Sequence, residues 1–307
     1  VPLPFKNKNP LPDNRKAVYN RTKNAIRRLE RDQDNISQCI DSMQKNIDSG
    51  FVEKVPRTEI IPELGESWVI PIFPVTHPRK QKIRLVYDAS AKYAGTSLNE
   101  NILTGPDLNN GLRGVLLRFR EERIAFIADI QSMFNNFLVP KEDRDFLRFF
   151  WYDENRIDRE FVLYRSTTHI FGCSSSPAIA SFCMQYAARH STSDNPSVRE
   201  FLLRGFYVDD GLHSVSTVSE AVEILKGAID TLAKFQMRLH KILSNSSDVL
   251  KSFPGSERAE GCIEIDCDLI PTQRTLGVVW SAADDCFLIM VQIPNREFTK
   301  RGLLAIL

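Results

Sequence analysis

Apolar and polar positions alternate in two distinct periods along the chain, and the periods divide it into elements. Near the start, Ile26, Leu29, Ile36, Ile40, Met43 and Ile47 recur mostly three or four residues apart. This spacing predicts one amphipathic helix, capped by Asp13 or Asn14 and ended by Gly50. Between Phe51 and Asn101 the pattern turns strand-like and prolines are frequent. WVIPIFPV reads as an interrupted edge strand. Lys82–Ser90 (KIRLVYDAS) alternates, with Ile83, Leu85 and Tyr87 on one face and Arg84, Val86 and Asp88 on the other.

Further on, Leu108, Leu112, Val115, Leu116 and Phe119 predict a helix over Asp107–Glu121, and Arg123–Asp129 reads as a buried strand. A hairpin follows from Leu147 to Tyr164. Ser176–Pro177 opens a helix running towards His190, with proline in its favoured first turn. Gly205–Ser214 reads as strand, tight turn, strand. The capping box Thr217-x-x-Glu220 starts a long helix that runs past Phe235, and TLGVVW with CFLIMVQI predicts a last hairpin. Strand, helix, hairpin, helix and strand in this order give β-α-β-β-α-β, the split βαβ or ferredoxin-like arrangement within an α+β chain. Such a path puts the end of the first strand beside the turn of the central hairpin.

Composition narrows the class. The chain has 307 residues, 42% hydrophobic and 26% charged, which excludes a disordered or collagenous protein. Lysine and arginine total 40 against 39 acidic residues, so bulk charge does not announce nucleic acid. The basic residues are concentrated locally: Lys6, Lys8, Arg15, Lys16, Arg21, Lys23, Arg27, Arg28 and Arg31 face only Asp13 and Glu30 over the first 31 positions. Two readings stand for that stretch, a solvated helix face and an arm that contacts phosphates. No apolar run is long enough to span a membrane, and no signal-peptide pattern opens the chain. The first residue, Val1, points to a processed product or an excised fragment. The six cysteines and five histidines lack metal-ligand spacing, which points to free thiols in a reducing compartment.

The chemistry lies in three carboxylates. Asp129 ends an apolar strand, and Asp209 and Asp210 sit in the turn of YVDDGLH. Singly, each reads as a turn residue, because aspartate tolerates turn geometry. Together at one corner they would repel one another unless a cation sat there. Hard divalent ions with oxygen ligands are the natural partners, and two of them ~4 Å apart support phosphoryl transfer.

The motifs then carry a resemblance. Tyr207–Asp210 (YVDD) resembles the YxDD signature of reverse transcriptases, and Ala128–Phe134 (ADIQSMF) resembles the first palm motif of that family. Asp129 and Asp209 are 80 residues apart, a separation that suits it. Phe171–Ala178 (FGCSSSPA) is similar to its Gly-x-x-x-Ser-Pro motif, and KIRLVYDAS to its fingers segment. LPFK, DSGFVEKV, LVYDASAK, LNxxILTGPDL, FGCSSSP, TLGVVW and the terminal FTKRGLLAIL extend the likeness, over almost the whole chain, to a BEL/Pao-type LTR retrotransposon polyprotein.

That resemblance implies a right-hand polymerase with a ferredoxin-like palm and strand-rich fingers. It implies a basic extension over 1–50, fingers over 51–122, a palm over 123–270 and a primer-grip-like hairpin with the start of the thumb or connection over 271–307. It implies an RNA- and DNA-templated DNA polymerase taking a primed RNA or DNA template and dNTPs. The setting would be a cytoplasmic virus-like particle, with protease upstream and RNase H and integrase in other parts of the polyprotein. Asp129, Asp209, Asp210 and the backbone carbonyl of Ile130 would hold two Mg²⁺, or Mn²⁺. Arg84 and Lys82 would hold the triphosphate, Asp88 orienting Arg84. Phe134 would exclude a 2′-OH, and Gly172, Ser176 and Pro177 would line the nucleotide pocket. Phe171 stands where many retroviral enzymes have glutamine. Lys241 loosely matches a lysine that protonates pyrophosphate, with Arg238, His240 and a plain solvated helix end as alternatives. Leu276–Gly277 resembles the segment gripping the primer. The other readings are a non-catalytic nucleic-acid-binding remnant of a domesticated element and another palm polymerase.

Overall fold

The computed structural model describes residues 1–7, 9–63, 65–76, 83–190, 195–259, 272–275 and 278–288. Among these, the helices of eight residues or more are α1 (Arg15–Leu29), α2 (Gln33–Asp48), α3 (Leu112–Phe119), α4 (Ser176–Arg189) and α5 (Val218–Ala233). The strands are β1 (Val52–Lys54), β2 (Ile72–Thr76), β3 (Ile83–Tyr87), β4 (Ile124–Ile130), β5 (Arg148–Tyr152), β6 (Phe161–Ser166), β7 (Phe206–Tyr207), β8 (Asp210–Val215), β9 (Leu239–Ser244), β10 (Thr272–Thr275), β11 (Val278–Ser281) and β12 (Cys286–Leu288). No described helix is long and apolar enough to cross a membrane.

The chain forms two compact units. The first comprises Val1–Asn109, Ser132–His190 and Lys234–Met237. It holds the antiparallel pair β2–β3 and the antiparallel sheet β1-β6-β5. One buried cluster joins Ile26, Met43, Ile83 and Trp151, and a second gathers Trp68, Leu98 and Ile170. Ile83 is buried, and Leu85 and Tyr87 pack beside it, so the alternation along β3 marks its inner face. The single helix expected before Gly50 is in fact two. α1 ends at Leu29, and Asp32 starts α2 by accepting a hydrogen bond from the Asn35 amide. The apolar spacing continues across the break, which hides it. Asn14, expected as a cap, instead uses its side chain on the backbone of Val69.

The second unit comprises Asn110–Gln131, Ser191–Ala233 and Arg238–Leu307. Its four-stranded antiparallel sheet has the order β7-β8-β4-β9, with β4 central and α5 packed on β4, β8 and β9. That is the strand order a β-α-β-β-α-β path produces. The Thr217–Glu220 capping box forms in both directions at the start of α5, at 3.1 and 3.2 Å. Phe126 packs edge-on against Phe201, with ring centroids 5.3 Å apart. α3 is shorter than the Asp107–Glu121 pattern predicts. The Asp107 carboxylate accepts from the Asn109 amide, and the Asn110 side chain donates to the carbonyls of Leu203 and Phe206. Such local and long-range side-chain bonds compete with helix formation there. The last hairpin forms between β11 and β12, with Trp280 opposite Phe287, but Thr275 of TLGVVW belongs to a further strand, β10, so the sheet has three strands, β10-β11-β12.

Candidate active site

β4 delivers Asp129 to the end of the central strand, and the antiparallel register sets it directly opposite Asp210, the first residue of β8. Residues directly opposite in such a pair project from one face of the sheet. Asp209 occupies the turn between β7 and β8, and its carbonyl accepts the Ile130 amide at 2.9 Å. The hairpin therefore fixes its own turn to the end of β4. Positive φ in this turn falls not on an aspartate but on Val208, at +57°. A β-branched residue is costly in that region. Gly211 closes the arrangement, since a Cβ there would lie 2.6 Å from the Phe206 ring.

The three carboxylates are held in different electrostatic states. Burial works to raise the pKa of Asp129, but a hydrogen bond from His240 and the charge and hydrogen bond of Lys241 outweigh it and hold the group below the ordinary carboxylate range. His240 Nε2 lies 2.9 Å from Oδ1 and Lys241 Nζ lies 3.2 Å from Oδ2. Asp210 feels the charge of Lys241 but has no such hydrogen bonds. Burial, then the charges of Asp209 and Asp129, push it up to about 7. Asp209 is also raised, chiefly by burial. Among the described residues, no group of three or more His, Cys, Asp or Glu side chains stands ready to hold a metal ion as it is. The donor set still fits a hard divalent cation, because half-buried like charges of this kind are relieved by one and carboxylate oxygens are its preferred ligands.

The first unit brings together three segments that the sequence singled out. Gly172 has φ of +108°, and a Cβ on it would lie 2.1 Å from the Tyr87 carbonyl oxygen. The close approach that requires glycine is thus to the chain's own β3. Asn99, within LNxxI, bridges the segments: its Nδ2 donates to the Gly172 carbonyl and to Ser90 Oγ, both at 2.8 Å, and its Oδ1 accepts from the Ser174 amide at 2.9 Å. Ser176 is buried and its hydroxyl donates to the Ile170 carbonyl at 2.8 Å, so it braces the loop. Pro177 is exposed at the start of α4. Phe134 is buried and meets Phe171 edge-on at 4.3 Å, while Phe171 itself is 65% exposed.

The remaining candidates divide. Arg84 belongs to β3, opposite Val75, while Lys82 lies outside the described residues. Asp88 accepts a 2.6 Å bond from Arg21, and the side chain of Arg84, which it is expected to orient, lies outside the description. Lys241 sits within strand β9, not at a helix end. Leu276–Gly277 lies outside the described residues. Asn99 and the pairing of His240 with Asp129 escaped the sequence reading. The LNxxI motif was the available signal for Asn99, whereas nothing in the local pattern marks His240.

No family model matches the chain, and no curated protein matches it. Solved structures do. The foamy viral protease-reverse transcriptase dRH in complex with double-stranded DNA is 18% identical, with a TM-score of 0.53 over 85% of this chain and 37% of that one. The foamy viral protease-reverse transcriptase in complex with dsDNA is also 18% identical, with a TM-score of 0.54 over 86% of this chain and 45% of that one. The chain spans less than half the length of either. It shares with them the mixed helix-and-sheet fold of a reverse transcriptase.

Proposed function

We propose that this chain is the fingers and palm of a reverse transcriptase, from a BEL/Pao-type LTR retrotransposon polyprotein. The observation that carries the reading is the register that sets Asp129 opposite Asp210, with Asp209 in the adjoining turn. A fold shared with foamy viral protease-reverse transcriptases supports it. The divisions of the chain after residues 50, 122 and 270 belong to the same proposal. So do RNase H and integrase regions of the polyprotein and a cytoplasmic virus-like particle as the setting.

The reaction is transfer of a nucleotidyl group from a dNTP to a primer 3′-OH on an RNA or DNA template. A phosphorus–oxygen bond forms to the primer, the bond between the α-phosphorus and its bridging oxygen breaks, and pyrophosphate departs. Asp129, Asp209 and Asp210, with the Ile130 carbonyl, would hold two Mg²⁺ or Mn²⁺. When bound, such ions supply activation of the attacking hydroxyl and charge neutralisation on the leaving oxygen. The chain's own part is to fix the carboxylates at the end of β4 and in the β7–β8 turn, so that no reorganisation is needed when charge develops. Arg84 and Lys82 are assigned the triphosphate, Arg84 by bidentate hydrogen bonds. Phe134 is assigned exclusion of the 2′-OH. Gly172 and Ser176 are assigned support of the nucleotide loop, and Pro177 its junction with α4.

Primer extension tests this. With poly(rA), an oligo(dT) primer, dTTP and Mg²⁺ or Mn²⁺, the chain, or a longer product that contains it, extends the primer, and Asp209→Asn does not. Equal extension by both proteins would sink the assignment.

A further inference from the structure

The pairing of β4 with β9 slips by one residue beside the carboxylates. Phe126 pairs with Ser244 and Ile127 with Leu243, but Asp129 pairs with His240 and Ile130 with Leu239. Lys241 lies at the slip and takes φ of +51°, the left-handed region that side chains other than glycine enter rarely. In a regular strand, consecutive side chains leave on opposite faces. A bulge re-aims them. Here His240 and Lys241 are consecutive and both reach Asp129, one on each oxygen.

The two contacts differ in kind. An ionised carboxylate only accepts, so His240 Nε2 is the donor to Oδ1. The ring is short, its side chain is 16% exposed, and the frame around it is tied down. The Gln131 amide donates to the Arg238 carbonyl at 2.9 Å, and Arg238 Nη2 donates to Glu257 at 2.8 Å. Lys241 is a point charge on a flexible stem, and its side chain is 46% exposed. Holding such a side chain costs rotamer entropy, and water competes for its ammonium. One oxygen of Asp129 is therefore held by a rigid neighbour and the other by a neighbour that leaves easily.

We propose that Lys241 is a displaceable counter-ion that keeps the place of a divalent cation on Asp129 Oδ2, and that His240 is a positioning residue that keeps Oδ1 aimed during the exchange. The inference rests on the reading of Asp129, Asp209 and Asp210 as a metal site. No covalent bond changes: the ammonium keeps its protons, leaves the carboxylate and is taken up by water. The bulge thus keeps a half-buried carboxylate oriented without metal, and lets the metal in at small cost.

Mn²⁺ binding to the full 307-residue chain, without nucleic acid or nucleotide, tests both halves when followed by the relaxation enhancement of water protons. Lys241→Gln removes the competing charge and is expected to bind Mn²⁺ about three- to fivefold more tightly than the unaltered chain, the worth of a half-exposed ion pair. His240→Ala is expected to weaken binding about tenfold, and His240→Gln, whose amide can donate to the same oxygen, to restore most of it. Unchanged or weaker binding in Lys241→Gln overturns the counter-ion role. His240→Gln as weak as His240→Ala overturns the positioning role. The unaltered chain and Asp129→Asn are compared first. Equal Mn²⁺ binding by these two, or none by either, overturns the metal-site reading itself and the proposal with it.

Discussion

Asp129 of β4 and Asp210 of β8 are direct cross-strand neighbours in an antiparallel pair, and only Asp129 has hydrogen-bonded cations or donors on its carboxylate among the contacts described for the two. Like charges directly opposite one another destabilise a sheet. Asp210 bears that cost: burial and the two neighbouring aspartates raise it to about 7.

Asp210→Asn should therefore stabilise the metal-free protein while abolishing primer extension. The folded state binds a proton at Asp210 that the unfolded state has already released between the ordinary value of 3.8 and about 7. Stability consequently falls as pH rises through that window, and the variant escapes the fall. A gain of ~1–3 kcal/mol at pH 8 is expected, after allowance for relaxation and solvent screening. Urea unfolding in EDTA at pH 5 and pH 8 measures it. A variant less stable than the unaltered chain at pH 8 would contradict the repulsion.

Phe134 is a different kind of residue, because packing and proposed selectivity meet in one ring. It is buried against Phe171. Phe134→Ala should cost ~3 kcal/mol through the cavity alone. If the ring also excludes a 2′-OH, the same variant raises rNTP incorporation relative to dNTP by tenfold or more, about 1.4 kcal/mol of discrimination. The ratio of the two incorporation rates separates the roles, since a loss of stability alone lowers both rates together.

Gly172→Ala tests the junction between the FGCSSSP loop and β3. The added methyl would meet the Tyr87 carbonyl oxygen at 2.1 Å, and φ of +108° is already unfavourable for alanine. Backbone cannot yield as a side-chain tip can, so a loss of ~2–4 kcal/mol is expected. Urea unfolding reads this directly. An effect within ~0.5 kcal/mol, the range of an ordinary surface change, would show that the loop does not depend on the contact.

How much of this was legible beforehand follows from which physical signal each feature leaves in the sequence. Asp129 and Asp209–Asp210 were legible because apolar strands state where they end, and both ends carry acids. The Thr217–Glu220 box was legible because its chemistry is local. The break at Glu30–Asp32 was not, since Leu29 and Ile36, seven residues and so about two turns apart, keep the helical phase across it. The start of α3 at Leu112, and not at Asp107, depends on Asn110 reaching Leu203 and Phe206, residues far away in sequence. The meeting of His240 and Lys241 on Asp129 depends on a bulge. A bulge inserts one residue into a two-residue period, and over six residues of β9 that insertion cannot be told from ordinary irregularity. Val208 shows the converse. A valine at φ of +57° is a place where local preference yields to the hairpin, and it lies in the same turn as Asp209.

His169 supplies a prediction independent of the carboxylates. It is buried in the first unit, and burial, which penalises the charged ring, lowers its pKa from 6.5 to about 4. The unfolded chain takes up a proton at this position as pH falls below 6.5, whereas the folded chain does not until about 4. In that window the unfolded state binds more protons, so stability rises with pH and is lost on acidification. The full effect of this one ring is ~3 kcal/mol, present above 6.5 and gone below about 4. His169→Gln removes the titrating group and keeps a polar side chain of similar reach. Its unfolding free energy should therefore change less than that of the unaltered chain between pH 6.5 and pH 4.5. Because the carboxylates titrate in both proteins, the difference between the two slopes isolates the imidazole. Parallel slopes would show that the ring takes up its proton over the same pH range in the folded and the unfolded chain, and that its burial is offset by a partner.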